Sequence, residues 1–153
     1  AAEEDSRVSP LSQLATYVAA QSNDMPFSVS LEHPKEQYAY ELGKKTFWHR
    51  MGAMDLSCAH CHAVPGRVLR GVELPIMTDP RRAGKVMGAF PAYVNKDGNV
   101  RTQWWRNERC VLAMRLPWLK VGSEIDAALI LYQVKKASES KEEISVPGLK
   151  PRA

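Results

Sequence analysis

Cys58-Ala59-His60-Cys61-His62 constrains this chain more than any other stretch of it. Two thiols three residues apart, followed at once by a histidine, form the attachment signature of a c-type haem. A chain that carries it must fold around a flat apolar body, which then supplies part of the core. On this reading Cys58 and Cys61 form thioether bonds to one covalently attached haem c. His62 is a ligand of its iron. The second ring nitrogen of that histidine should donate to a backbone carbonyl, which fixes the tautomer.

Two rival readings of the paired cysteines fit less well. A thioredoxin-like redox motif needs a strand before it and a helix after it. Here a helical stretch precedes the motif and a Pro65-Gly66 turn follows. A zinc site needs a second pair of ligands at suitable spacing. Only Cys110, His33, His49 and His60 remain, and they are scattered. His60 lies inside the attachment loop and is expected at the surface.

The length of 153 residues suits one domain. We divide the chain into an N-terminal helix and extended linker (1–33), a haem domain (34–137) and a C-terminal tail (138–153). No run of 18 apolar residues exists, so no membrane span is expected. The start, Ala1-Ala2-Glu3-Glu4-Asp5, reads as a mature or trimmed N-terminus without a signal peptide. Covalent haem attachment implies the periplasm. The net charge of +4 and pI near 9.0 permit steering toward an acidic redox partner. No dense Lys/Arg run interleaved with aromatics is present, which argues against nucleic-acid binding.

Helical periodicity and punctuation place four helices. Ser9 caps the first, with Pro10 at its first position and Leu11, Leu14, Ala15 and Val18 as its apolar stripe. Phe27, Val29 and Leu31 alternate as an extended linker or edge strand. A second helix runs from near Pro34 to about Arg50, stopped by Gly52. Gly43 inside it predicts a close approach of another helix. Residues 63–100 are rich in Gly and Pro and read as a long loop around the haem edge, with Asp97-Gly98 as a turn. Asn99 or Thr102 caps a third helix that reaches about Arg115. Ser123 opens the last helix, apolar on two faces. A helix ahead of the motif, an irregular middle and a closing helix resemble the layout of class I cytochromes c. The fold class is therefore all-α.

The second axial ligand should come from downstream. The candidates are Met77, Met87, Cys110 and Met114. A methionine would raise the reduction potential and suit an electron carrier, although filling a core gap is the expected role for most of them. Cys110 is the odd thiol in an oxidising compartment. It is either a buried structural cysteine or a ligand, and a thiolate ligand should lower the potential. Arg106 precedes it by four residues and Met114 follows by four, so all three share a helical stripe. A guanidinium there should favour the thiolate and could grip an oxyanion in a fork. The alternative for Arg106 is an ion pair with a surface acid or a haem propionate. Trp104 and Trp105 are expected to pack at the haem edge.

These residues together resemble a known family. Leu56-Ser57 leads into the haem motif, and Gly66-x-x-Leu69-Arg70-Gly71 and Phe90-Pro91-Ala92-Tyr93 follow it. Arg106-x-x-x-Cys110, Gly122-Ser123-Glu124, Ala128-Leu129-x-x-Tyr132 and Pro147-Gly148 complete the pattern. They resemble the C-terminal haem domain of SoxA, the catalytic subunit of the SoxAX cytochromes of periplasmic sulfur oxidation. The likeness is clearest from about Gly43 to Pro147. It implies an L-cysteine S-thiosulfotransferase subunit that oxidatively joins thiosulfate to a carrier-protein cysteine on SoxYZ, with SoxX as partner. It also implies His and Cys ligation of the haem iron, which assigns Cys110 as ligand and catalytic residue and Arg106 as the active-site arginine. The chain is expected to begin near the end of the family's N-terminal domain, and its single haem motif excludes two haems within these residues. The alternative function is a monohaem electron carrier or redox-complex subunit without catalysis of its own.

Overall fold

The structure is a computed structural model and describes residues 10–69 and 71–150, the side chain of Lys150 excepted. The expected Ser9 cap, the Ala1–Asp5 start, Arg70 of the family pattern and the end of the tail lie outside the described residues. Among the described residues, six helices and five short strands follow one another. They are α1 (Pro10–Ala20), α2 (Pro34–Trp48), α3 (Cys58–His62), β1 (Val68–Leu69), β2 (Val72–Glu73) and α4 (Pro80–Met87). Then come β3 (Ala92–Val94), β4 (Asn99–Arg101), α5 (Gln103–Ala113), α6 (Glu124–Ser138) and β5 (Gly148–Lys150). The mostly helical architecture agrees with the all-α expectation. Among the described residues no helix is long and apolar enough to cross a membrane.

The core lies where α2 crosses α6. Gly43 is buried at the crossing, and a Cβ added there would collide with the backbone carbonyl of Ala128. The two backbones therefore touch, as the glycine predicted. One turn on, Phe47 is fully buried and meets the Tyr132 ring at 5.2 Å, with Tyr40 on the other side of Tyr132 at 5.5 Å. Offset or tilted aromatic pairs of this kind add stabilisation beyond their buried area. Leu129, Met77, Met87 and Ala59 complete the cluster. Helix α2 starts on a cap the sequence did not advertise. His33 accepts from the Lys35 N–H, and Glu36 accepts from the His33 N–H. For α6 the expected cap is Ser123, which accepts from the Asp126 N–H at 3.4 Å. Of the two apolar faces read on α6, the one through Ala128, Leu129 and Tyr132 is buried. Ala127 on the other is exposed, and Ile125 is also exposed.

Residues 63–100 differ from the expected irregular loop. They fold into the β1–β2 hairpin, helix α4 and the first strand of the β3–β4 hairpin. The glycines and prolines there are not breakers. Pro80 occupies the first turn of α4 behind the Asp79 cap, Gly84 lets α4 approach Ser140 and Glu142, and Gly88 caps the end. Asp97-Gly98 is a turn as expected, with Gly98 at φ +63° joining β3 to β4. Phe27, Val29 and Leu31 form an extended linker rather than a strand. Its start is tied to the tail by Phe27 N–H donating to Glu142 O.

The tail returns across the domain. β5 pairs with β3 in parallel, Ala92 opposite Gly148. Asn23 pins its approach like a strand partner, donating to Val146 O and accepting from Val146 N–H, both at 2.8 Å. The apolar stripe of α1 exists, but α1 buries none of its residues. Leu11, Leu14 and Val18 are exposed among the described residues.

Replacing Gly43 by alanine tests the crossing. In an open helix this change gains about 1 kcal/mol. Here it should instead cost about 2 kcal/mol by overpacking, and thermal unfolding followed by circular dichroism should show a lower Tm.

Candidate functional site

Helix α3 is a single turn, too short to be stable alone. It is held from both ends. Ser57 precedes it, buried, and hydrogen-bonds through its N–H (3.2 Å) and its hydroxyl (2.9 Å) to His60 Nδ1. His60 is therefore half-buried and serves the cap of its own helix, not the free surface position expected of it. Ala59 is buried in the α2–α6 cluster, and Cys58 packs against that cluster. Cys58, Cys61 and Cys110 are all free thiols, each half-buried.

His62 Nδ1 lies 2.8 Å from the carbonyl oxygen of Pro75. A carbonyl only accepts, so Nδ1 carries the proton and Nε2 keeps its lone pair free. The sequence predicted a carbonyl partner but not which one, because a backbone acceptor leaves no side-chain signature. Burial pushes the His62 pKa down, with the Pro75 carbonyl opposing and Arg106 adding to the fall. The ring is thus neutral, the form that binds a metal.

The second half of the site is α5. Thr102 caps it, accepting from the Trp105 N–H at 3.3 Å. Cys110 on α5 lies near enough to the attachment helix that it raises the Cys58 pKa and is itself raised by Cys61. Burial is the larger cause for both thiols. Cys58 is pushed up to about 12, with Cys110 the next contributor. Cys110 is also raised, burial outweighing the opposing Arg106 guanidinium. The expected depression of the Cys110 pKa by Arg106 is thus overridden. Arg106 is exposed, and water screens its charge more than it screens the desolvation of the half-buried sulfur. Arg106 nonetheless acts on both His62 and Cys110, which places it beside the two.

The other ligand candidates separate. Met77 donates its N–H to His62 O (2.7 Å), two residues past the carbonyl that holds the imidazole, and is buried in the core. Met87 is buried in the same cluster. Met114 stays on the Cys110 stripe, its N–H donating to Cys110 O. Trp105 does not share that stripe. Its ring carries the Arg101 guanidinium at 5.1 Å, and Arg101 in turn donates to Asp97.

The donor set fits a c-type haem. Two unpaired thiols and a histidine with a free Nε2 share one turn of helix, and a further thiol lies near them on α5. Together with the α2–α6 crossing, this motif defines a class I cytochrome c-like domain. No protein-family model matches the chain. It is 32% identical over 140 residues to the L-cysteine S-thiosulfotransferase subunit SoxA of Hydrogenophilus thermoluteolus, covering 92% of this chain and 50% of that protein. It is 37% identical over 137 residues to a subunit of the same name from Hydrogenobacter thermophilus, covering 88% of this chain and 51% of that one. The crystal structure of SoxXA from P. pantotrophus superposes with a TM-score of 0.75 at 26% identity, over 92% of this chain and 50% of that one. Over most of its own length the chain is similar to SoxA subunits, and it spans about half the length of these relatives.

Replacing His60 by alanine should remove the α3 cap and cost about 1 kcal/mol. The Tm should fall while the visible absorption bands of the haem-loaded protein keep their positions.

Proposed function

We propose that the chain is a periplasmic, SoxA-type c-type cytochrome unit that conjugates thiosulfate to a carrier-protein cysteine. Cys58 and Cys61 would carry one haem c, and His62 and Cys110 would bind its iron. The observation that carries this reading is the nearness of Cys110, with Arg106, to the attachment helix. A SoxX-like cytochrome and a SoxYZ-like carrier are the partners.

The residues divide the work. Arg106, exposed at the edge of the site, offers a forked pair of donors to the sulfonate oxygens of thiosulfate. Its charge also offsets the negative charge that gathers where the two sulfur compounds meet. His62 stays neutral and fixed by Pro75 O, so it serves as a ligand and takes no proton. Cys110 supplies a soft sulfur on the substrate side. The balanced conversion takes a carrier thiol and thiosulfate to a carrier S-thiosulfonate, one proton and two electrons. The bound haem supplies the one-electron acceptor, and the SoxX-like partner takes the remaining electron.

The half-burial of Cys110 favours a second reading, a monohaem electron carrier whose buried sulfur only tunes the potential. Mixing the haem-loaded chain with SoxX-like and SoxYZ-like partners separates the two. Thiosulfate-dependent growth of the reduced haem bands supports the enzyme, and no growth supports the carrier. Arg106→Ala should lower the rate by about 10²-fold, the scale of one lost charge-stabilising donor, with the spectrum at rest preserved. Cys58→Ser and Cys61→Ser together should leave the haem extractable by acidified organic solvent.

A further inference from the structure

Helix α5 fully buries only Trp105 and Val111, and neither lies on the stripe that bears Cys110. That stripe runs Gln103, Asn107, Cys110, Met114, at i, i+4, i+7 and i+11. It is tied to α6 through amides. Asn107 Nδ2 donates to Gln133 Oε1 at 3.2 Å, and Gln133 Nε2 donates back to Asn107 Oδ1 at 3.4 Å. Gln103 Nε2 donates to the same two oxygens, to Asn107 Oδ1 at 3.0 Å and to Gln133 Oε1 at 3.3 Å. Gln133 is buried, and the buried Gln103 Oε1 accepts no hydrogen bond from the described residues.

We propose that Asn107 and Gln133 are positioning residues that set the rotation of α5 about its axis and so aim Cys110 at the attachment helix. The proposal rests on the reading of Cys110 as an axial ligand. Apolar contact is non-directional and tolerates a turning helix. A reciprocal amide pair with one buried partner does not, because breaking it leaves the buried Gln133 amide unmatched. Asn107 lies one turn before Cys110, so the rotation that breaks the pair also swings the sulfur. A rotation of about 20° moves a side-chain tip about 5 Å from the helix axis by about 2 Å. Metal–ligand distances tolerate only about 0.2 Å.

The test uses the haem-loaded chain and its low-temperature EPR spectrum, with Tm measured alongside. Cys110→Ala should change the low-spin signal. Gln133→Leu and Asn107→Leu should each lose part of the native signal to a second species. Gln133→Glu, which keeps an oxygen acceptor for Asn107, should retain it. Leucine variants that lower the Tm yet keep the native signal overturn the positioning role while the ligand assignment stands. An unchanged signal in Cys110→Ala removes the ligand assignment and the proposal with it. If a leucine variant fails to take up haem, the unbranched Gln133→Met carries the same comparison with the same two outcomes.

Discussion

The crossing of α2 and α6 at Gly43 governs the placement of everything else. Backbone meets backbone there because Gly43 has no side chain to hold Ala128 away. That approach brings Phe47 and Tyr132 into contact one turn on. The same cluster takes in Ala59 and Cys58 of the attachment turn. A five-residue helix has almost no stability of its own, since the cost of its first turn is barely repaid by its hydrogen bonds. Its orientation is therefore set by the crossing beneath it and by the Ser57–His60 cap at its start. Tight helix packing and site geometry are one problem in this domain.

Within the site, burial and charge pull the sulfur atoms in opposite directions, and burial wins. A guanidinium can draw a thiol toward its thiolate, but its strength depends on how much water lies around the charge. Arg106 is exposed, while Cys110, one turn on along the same helix, is half-buried. The polypeptide alone therefore holds Cys110 protonated at neutral pH. On the proposed reading the positive charge that completes the site belongs to the iron, since a coordinating thiol gives up its proton outright. Arg106 is then free for the substrate side. The same desolvation keeps His62 neutral, where the Pro75 carbonyl by itself would have favoured the charged ring.

What could be read from the sequence was local. The pentapeptide, the Gly43 approach, the Ser123 cap and the Arg106–Cys110 spacing each lie within a few residues, and the fold keeps all of them in the expected register. Helix α4 was missed because Pro80, Gly84 and Gly88 look like loop punctuation. They act instead as a first-turn residue, a contact face and a cap. His60 was misplaced because its partner is the backbone and hydroxyl of Ser57, a use of imidazole as a cap that residue type does not announce. The exposed stripe of α1 marks the opposite limit. Periodicity identifies an apolar face, but it does not say what covers that face.

The two halves of the site differ in how they are specified. His62 and its Pro75 partner are close in sequence, and their geometry follows from one helical turn and the β1–β2 hairpin after it. Cys110 arrives on a separate helix whose placement depends on the Thr102 cap, the β3–β4 hairpin before it and the amides shared with α6. Non-local placement of this kind depends on directional contacts, because apolar burial rewards area and not angle. The attachment half thus depends on the crossing beneath it and on its own neighbours in sequence. The opposing half is the one through which distant substitutions reach the iron's second ligand on the proposed reading. Its amides lie on the same stripe as the sulfur they steer, so the helix that presents Cys110 also carries the means of holding it in register.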